Sequence, residues 1–271
     1  MNNIISIRAS SLADLFDCPK RWYTRNILKK STPASSRARL GTSIHAGTET
    51  YDLAKLQGSP ISADDAAEAV INTLYAKYDG AGEEIDWGDE SPQQLENIAL
   101  ALHTKYCVEI GSKTDYKAVE VRCNPVTFED IGIKLTGSVD RIYQTEDGEL
   151  GIADIKTGAT AVSADGTVKT GQHIAQLGVY NMLAELTLRE EITAEAKIIG
   201  LNTGKTPAAQ RVGVGSIPNP KNILLGDDEN KGFLEQAASI VQSGVFYANP
   251  KSMLCNPKFC PAHPNCKYRG S

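Results

Sequence analysis

Two acids and a lysine stand out as residues whose spacing could do chemistry. In GIADIKTG, residues 151–158, Asp154 and Lys156 lie two positions apart in an apolar run closed by Thr-Gly. Side chains alternate across a strand, so both charges face the same way. In GSVDRIY, residues 137–143, Asp140 sits mid-run and is followed by Arg141. The intervening EDG is a hairpin signal, so the two runs read as consecutive, paired strands. Carboxylates on neighbouring strands repel, and a divalent cation between them is the usual reason to tolerate that. The plainer reading is an Asp-x-Lys salt bridge at a sheet edge. It fits less well here, because small and apolar residues flank Asp154, and an unpaired buried carboxylate is expensive.

An acid pair with a lysine suits phosphoester hydrolysis. A bound cation polarises a phosphoryl oxygen and lowers the pKa of its water. A lysine beside it can orient or deprotonate that water and neutralise developing charge. His45, in GTSIHAGTE, lies on a helix one step round from the apolar stripe Ile44, Gly47 and Tyr51, with Glu49 one turn on. A lone helical histidine is more often structural than a ligand. Imidazole together with carboxylates suits Mn²⁺ as well as Mg²⁺.

The elements that must position these residues follow from periodicity and end signals. A helical segment from Ser10 is interrupted at Pro19, and STPASSRAR is a polar loop ahead of a helix from Leu40. Ser62 caps a helix with the stripe Ala67, Val70, Ile71, Leu74 and Tyr78. Ser91, Pro92 and Gln94 start another with Leu95, Ile98, Leu102 and Tyr106. YKAVEVRCN, IKLTGSVDRIYQ and ELGIADIKT are strands in succession. A helix over 172–188 follows, with Ala175, Val179, Met182 and Leu186 inward. EAKIIGLNT and QRVGVGSI read as further strands, and GFLEQAASIVQSG as a last helix ended by Gly244. This order predicts a single α/β domain over residues 1–271: a helical part about 10–113, a mixed-sheet core about 115–216, and a C-terminal helix with a cysteine-bearing tail about 227–268.

The net charge of −5 argues mildly against a generally basic nucleic-acid binder, though not against a local basic groove. No apolar run is long enough to span a bilayer, and the N-terminus lacks a signal-peptide core, so the chain reads as cytoplasmic. In that setting the tail cysteines Cys255, Cys260 and Cys266 read as metal ligands rather than disulfides. Zinc is the generic expectation, with His263 as a possible ligand. Cys107 and Cys123 read as small core residues.

GTSIHAG, GSVDRIY, GIADIKTG and QLGVY, in this order and approximate spacing, resemble the PD-(D/E)xK nucleases. The likeness is to the RecB-like branch, which includes CRISPR-associated adaptation nucleases and AddB-type nuclease domains. LFDCPKRWY is similar to that branch's first helix and CNPKFCPAHPNC to its C-terminal cluster, so the resemblance runs from about Ser10 to Cys266. It implies a restriction-endonuclease-like core in which His45, Asp140, Asp154 and the carbonyl of Ile155 bind Mg²⁺ or Mn²⁺ and Lys156 is the catalytic lysine. It also implies that Gln176 and Tyr180, a Q-x-x-x-Y pair, position DNA and the active site. Cys18, Cys255, Cys260 and Cys266 would hold a [4Fe-4S] cluster, in place of Zn²⁺. Val139 stands where proline is frequent, and the third acid is Asp154 rather than glutamate; neither change removes a ligand.

Arg8, Lys20, Arg21, Arg25, Arg37, Arg39, Arg141 and Lys205 are candidate DNA contacts, with Arg37, Arg39 and Arg141 foremost. The expected function is a metal-dependent deoxyribonuclease acting on ends or single strands, in recombination, repair or CRISPR-adaptation processing alongside the proteins of those pathways. The rival readings are a DNA-binding, cluster-containing subunit of a larger nuclease complex with little activity alone, and a scaffold in which these charges form structural salt bridges.

Overall fold

Capping chemistry sets the helical part. The computed structural model describes residues 4–269. Helix α1 spans Leu12–Asp17 and α2 spans Pro19–Asn26; the break at Cys18 arises because proline opens a new helix and disfavours a helical residue before it. Helix α3, Ser36–Leu56, starts earlier than the pattern from Leu40 suggests, because the Ser35 hydroxyl accepts the Ala38 N–H. Arg37 and Arg39 are therefore in its first turn and not in a loop. Helices α4 (Ala63–Tyr75) and α5 (Pro92–Tyr106) open with capping boxes, Ser62 with Asp65 and Ser91 with Gln94. Leu95, Ile98, Leu102 and Tyr106 are buried as the period requires. On α4 the inward face is Ala66, Val70 and Leu74, and Tyr78 lies exposed beyond the helix end.

The central sheet has five strands in the order β2 (Asp115–Arg122), β5 (Ser138–Gln144), β6 (Leu150–Gly158), β7 (Ala196–Asn202) and β8 (Val212–Ile217). All neighbours are antiparallel except β6 and β7, whose parallel pairing requires a crossover; helix α6, Ile174–Leu188, provides it. A smaller sheet orders β1 (Ile5–Arg8), β4 (Ile133–Thr136) and β3 (Val126–Phe128). The run 133–144 is thus two strands in two sheets, divided at Gly137. A Cβ at Gly137 would lie 2.9 Å from the Tyr180 ring, so the chain turns where only glycine passes over that ring. Helices α7 (Pro220–Leu225) and α8 (Phe233–Gln242) follow β8.

The two faces of the central sheet carry separate cores. Helices α3, α4 and α5 bury Ile44, Val70 and Leu102 against Ile155, Ile199 and Leu201. On the other face α6 buries Leu177, Val179 and Leu183 against Val139, Ile142 and Ile152, backed by α1 and α8. Helix α6 is consequently buried nearly all round from Ala175 to Ala184, while Leu186, expected inside, is exposed. The tail beyond α8 folds back on the first helices. The Lys20 N–H donates to the Tyr247 carbonyl (2.9 Å), Arg21 to the Ser252 hydroxyl (3.0 Å), and Ser252 to the Asp17 carboxylate (2.5 Å). Among the described residues no helix is long and apolar enough to cross a membrane.

Candidate active site

The hairpin of β5 and β6 brings the two acids together. Arg141 pairs with Ala153, so one further step along both strands sets Asp140 beside Asp154. There the ladder gives way: the Asp140 carboxylate accepts the Ile155 N–H at 2.9 Å. The period-two alternation on β6 brings Lys156 Nζ to 2.5 Å from Asp154 Oδ2. Asp154 is 1 % exposed, whereas the Lys156 side chain keeps 28 % of its surface open. From α6, Gln176 donates to Asp154 Oδ1 (3.4 Å) and to the Tyr180 hydroxyl (3.0 Å). The helix period places these two side chains one turn apart on one face.

Helix α3 delivers His45 from the other face. A Cβ at Gly41 would lie 2.5 Å from Thr157 Oγ1, so α3 reaches this close to β6 because position 41 has no side chain. One helical turn on, His45 Nδ1 stands 3.8 Å from Asp140 Oδ2. An open cleft of about 550 Å³ lies here, lined by Thr42, His45, Glu49, Glu120, Asp140 and Thr157.

Burial dominates the electrostatics. It pushes Asp154 up to about 7, with the Asp140 charge adding to the shift and Lys156 opposing it. Burial also lowers His45, helped by Lys156 and Arg141 and opposed by Asp140, so its imidazole is neutral with a lone pair to offer at neutral pH. Glu120 is driven up to about 7 by burial, then by Asp140 and Glu49. Its backbone is left-handed, φ +51, on a strand with a register irregularity between Tyr116 and Ala118. His173, just ahead of α6, is lowered to about 4 by burial and by Lys156. Neither Glu120 nor His173 was legible as part of the site: AVEVR alternates like any half-buried strand, and His173 lies outside the quoted motifs.

The donors suit a hard divalent cation. Two adjacent carboxylates, a peptide carbonyl and a neutral imidazole are oxygen-rich with one nitrogen, the type of set Mg²⁺ or Mn²⁺ accepts. The buried Asp154 Oδ2 has an ammonium partner but no aligned hydrogen bond, an excess of negative charge that a cation would relieve. The side chains are engaged with protein groups, and among the described residues no three His, Cys, Asp or Glu side chains converge on one point.

Two of the foremost arginine candidates for DNA contact are corrected by their burial. Arg141 is 1 % exposed: its Nε donates to Asp52 (2.7 Å), and its Nη1 to Glu120 (3.3 Å) and to the Asp140 carbonyl (2.8 Å). Strand alternation turns it away from Asp140 and into the α3 side, where Asp52 is its counter-charge. Arg39, 6 % exposed, donates to the carbonyls of Thr73, in the last turn of α4, and Tyr78, beyond it. Arg37 is half-buried, paired with Glu90 and donating to the Thr203 carbonyl (3.2 Å). Arg21 is also buried, held by Asp14 and Asp17 at 2.8 Å each.

The cysteines are only partly gathered. Cys18 and Cys260 are both buried, and burial, with a smaller contribution from Cys18, raises the Cys260 pKa. Cys255 and Cys266 are half-buried in the same tail. The four do not form a converged ligand set among the described residues. Protein groups already close the long loop: Cys18 Sγ accepts the Asn249 N–H (3.4 Å) beside the Asp17–Ser252–Arg21 bonds.

Comparison with known proteins bears on the whole chain. No curated protein sequence matches it. Among solved structures it is similar to the protein SSO0001, at 14 % identity and TM-score 0.44, covering 100 % of this chain and 90 % of that one. It is also similar to a provisionally named exonuclease from Eubacterium rectale, at 15 % identity and TM-score 0.45, covering 89 % and 78 %. The model of the PD-(D/E)XK nuclease superfamily matches residues 6–267. With a match of that extent over an α/β core of helix-flanked mixed sheet, the chain belongs to the PD-(D/E)XK nuclease superfamily.

Proposed function

We propose that this nuclease is a deoxyribonuclease dependent on Mg²⁺ or Mn²⁺ that cleaves phosphodiester bonds at DNA ends or in single strands. The observation that carries the reading is the placement of Lys156 against buried Asp154, with Asp140 on the paired strand. Asp140, Asp154, the Ile155 carbonyl and His45 would hold the metal, which when bound supplies phosphoryl polarisation and an acidified water.

The chain's own residues do the rest. Lys156, in contact with Asp154 yet partly open to the solvent, can orient the attacking water and offset charge growing on the phosphoryl oxygens. Gln176 occupies Asp154 Oδ1 and leaves Oδ2 toward Lys156, and Tyr180 in turn fixes the Gln176 amide. Arg141 holds the Asp140 backbone from the opposite side of the strand. The open cleft beside His45 and Thr42 leaves room for a strand to approach. By the family resemblance Cys18, Cys255, Cys260 and Cys266 would hold a [4Fe-4S] cluster, with a stabilising role apart from the chemistry, and Cys18 already meets the tail by accepting the Asn249 N–H (3.4 Å).

The test is cleavage of an end-labelled oligonucleotide with Mn²⁺. Asp140→Ala, Asp154→Ala and Lys156→Ala should each lower the rate by about 10²-fold or more with circular dichroism unchanged. A Lys156→Ala protein cutting at the wild-type rate would remove the lysine from the mechanism.

A further inference from the structure

A second feature lies at the same end of the sheet. The last residue of β2, Arg122, pairs with the first of β5, Ser138, and Ser138 is two residues, roughly 7 Å, ahead of Asp140. Between them opens a cavity of about 520 Å³ bounded by Arg8, Ser10, Arg122, Thr136, Ser138 and Tyr180. Tyr180 ties it to the candidate active site: its ring lines the cavity, and its hydroxyl meets Gln176, which donates to Asp154.

A second cavity, of about 340 Å³, shares Arg8 and Ser10 with the first and continues to Arg25, Lys29 and Lys30. The two cavities adjoin at Arg8 and Ser10, and the charge of the track they mark out contrasts with that of the protein. Arg8, Arg25, Lys29, Lys30 and Arg122 line it against a single carboxylate, Asp14, in a chain of net charge −5. Asp14 is itself neutralised by Arg21 (2.8 Å) and Arg25 (3.3 Å). Arg8 and Arg122 are exposed and form no ion pair among the described residues. Exposed arginines without carboxylate partners, interleaved with serine and threonine hydroxyls, match phosphate oxygens in both charge and hydrogen-bonding sense. A concave, one-signed surface also focuses its field on an incoming polyanion.

We propose that this track binds the sugar-phosphate backbone of the substrate DNA strand next to the scissile phosphate, with Arg122 and Arg8 holding consecutive parts of it. The proposal rests on the nuclease reading and adds the path the strand takes. It also accounts for a net acidic chain engaging DNA after Arg39 and Arg141 prove to be buried.

The test is fluorescence anisotropy of a labelled single-stranded oligodeoxynucleotide, titrated with protein in EDTA so that no cleavage occurs, across a range of KCl concentrations. Arg8→Gln with Arg122→Gln should weaken binding by about tenfold at low salt and flatten the log–log salt slope by about 1.4, the counterion share of two phosphate contacts on a single strand. Arg8→Lys with Arg122→Lys should keep most of the slope. Lys113→Gln, in the turn before β2 and so at that strand's opposite end, should change neither quantity. Thermal melts of each variant report folding separately. A double glutamine variant with wild-type affinity and slope, in a protein that still cleaves DNA with Mn²⁺, overturns the track and leaves the nuclease reading standing. A wild-type protein that neither binds nor cleaves DNA overturns both. Tighter binding of the same sequence as RNA overturns the choice of DNA.

Discussion

Replacing Asp52 with alanine should destabilise the protein through a pair that never touches substrate. The Asp52 and Arg141 side chains are 0 % and 1 % exposed, and Arg141 Nε donates to Asp52 Oδ2 at 2.7 Å. Tyr106 donates to the same oxygen (2.6 Å) and lies 3.0 Å from the Tyr116 hydroxyl. Asp52→Ala leaves a buried guanidinium without its nearest counter-charge, which typically costs about 3–5 kcal/mol. Glu120, 3.3 Å from Arg141 Nη1 and 35 % exposed, offsets part of this, so the loss should fall near the lower end, about 3 kcal/mol. With the usual unfolding entropy per residue, a chain of 271 residues would then melt roughly 5 °C lower. Removing both charges with well-packed apolar groups, Asp52→Leu with Arg141→Met, should recover most of that stability, since no buried charge is left alone. Cleavage should fall in the double variant, because Arg141→Met removes the donor to the Asp140 carbonyl. Thermal melts by circular dichroism give the first quantity and single-turnover cleavage the second. An Asp52→Ala protein within about 1 kcal/mol of wild type would refute the energetic argument. A stable double variant with full activity would show that Arg141 does not position Asp140.

His45→Ala should raise the Mn²⁺ concentration for half-maximal cleavage by about tenfold or more while DNA affinity in EDTA changes little; an unchanged metal requirement returns His45 to a structural role. Glu120→Gln should alter stability against pH. The folded Glu120 pKa of about 7 lies above its ordinary 4.5, so between those values the folded form holds a proton the unfolded chain has released, and wild-type stability falls as pH rises through that window. The full shift corresponds to roughly 3 kcal/mol, reduced to about 1 kcal/mol for a carboxylate 35 % exposed. Urea midpoints at either end of the window should therefore converge in the variant, and an identical pH trend in both proteins would contradict the assignment. Protein purified without oxygen should be brown, with broad absorbance near ~400 nm, and Cys18→Ser should lose that colour. A colourless protein whose Cys18→Ser form melts like wild type would leave the tail held by its hydrogen bonds to Asp17 and Arg21 alone.

What could be read from the sequence follows the range of the interactions involved. The hairpin and the shared face of Asp154 and Lys156 depend on a two-residue period and a turn, both local. The capping boxes at Ser62 and Ser91 are equally local, and so is the Gln176–Tyr180 pair. Arg39 and Arg141 were misjudged because a basic residue in a polar or strand context looks solvent-facing until its partners are known. Those partners lie far along the chain, at Thr73, Tyr78 and Asp52. The division of 133–144 into two strands was hidden for the same reason, since Gly137 is decisive only once the Tyr180 ring is beneath it. Strand β1 escaped notice because it is short and gains its meaning only by pairing in parallel with β4.

The site is assembled from both faces of one sheet, which explains why so much of its support is buried and charged. Asp140 and Asp154 sit where β5 and β6 stop pairing with each other, although β5 is still paired to β2 on either side of Asp140 and Asp154 is paired to Ile198 of β7, so the ladder between the two acids is the one that is missing. Each is held from a different side. Asp140 accepts the Ile155 N–H while Arg141, rooted in the α3-side core by Asp52, takes its carbonyl. Asp154 is steadied by Gln176 from α6 on the opposite face. Burial raises the Asp154 pKa and the nearby Asp140 charge adds to the rise against the opposing Lys156, a cost to stability that a cation or a proton relieves. The apolar cores on either side supply that stability, so the fold can keep a carboxylate-bearing sheet end in place for the phosphodiester it is proposed to cut.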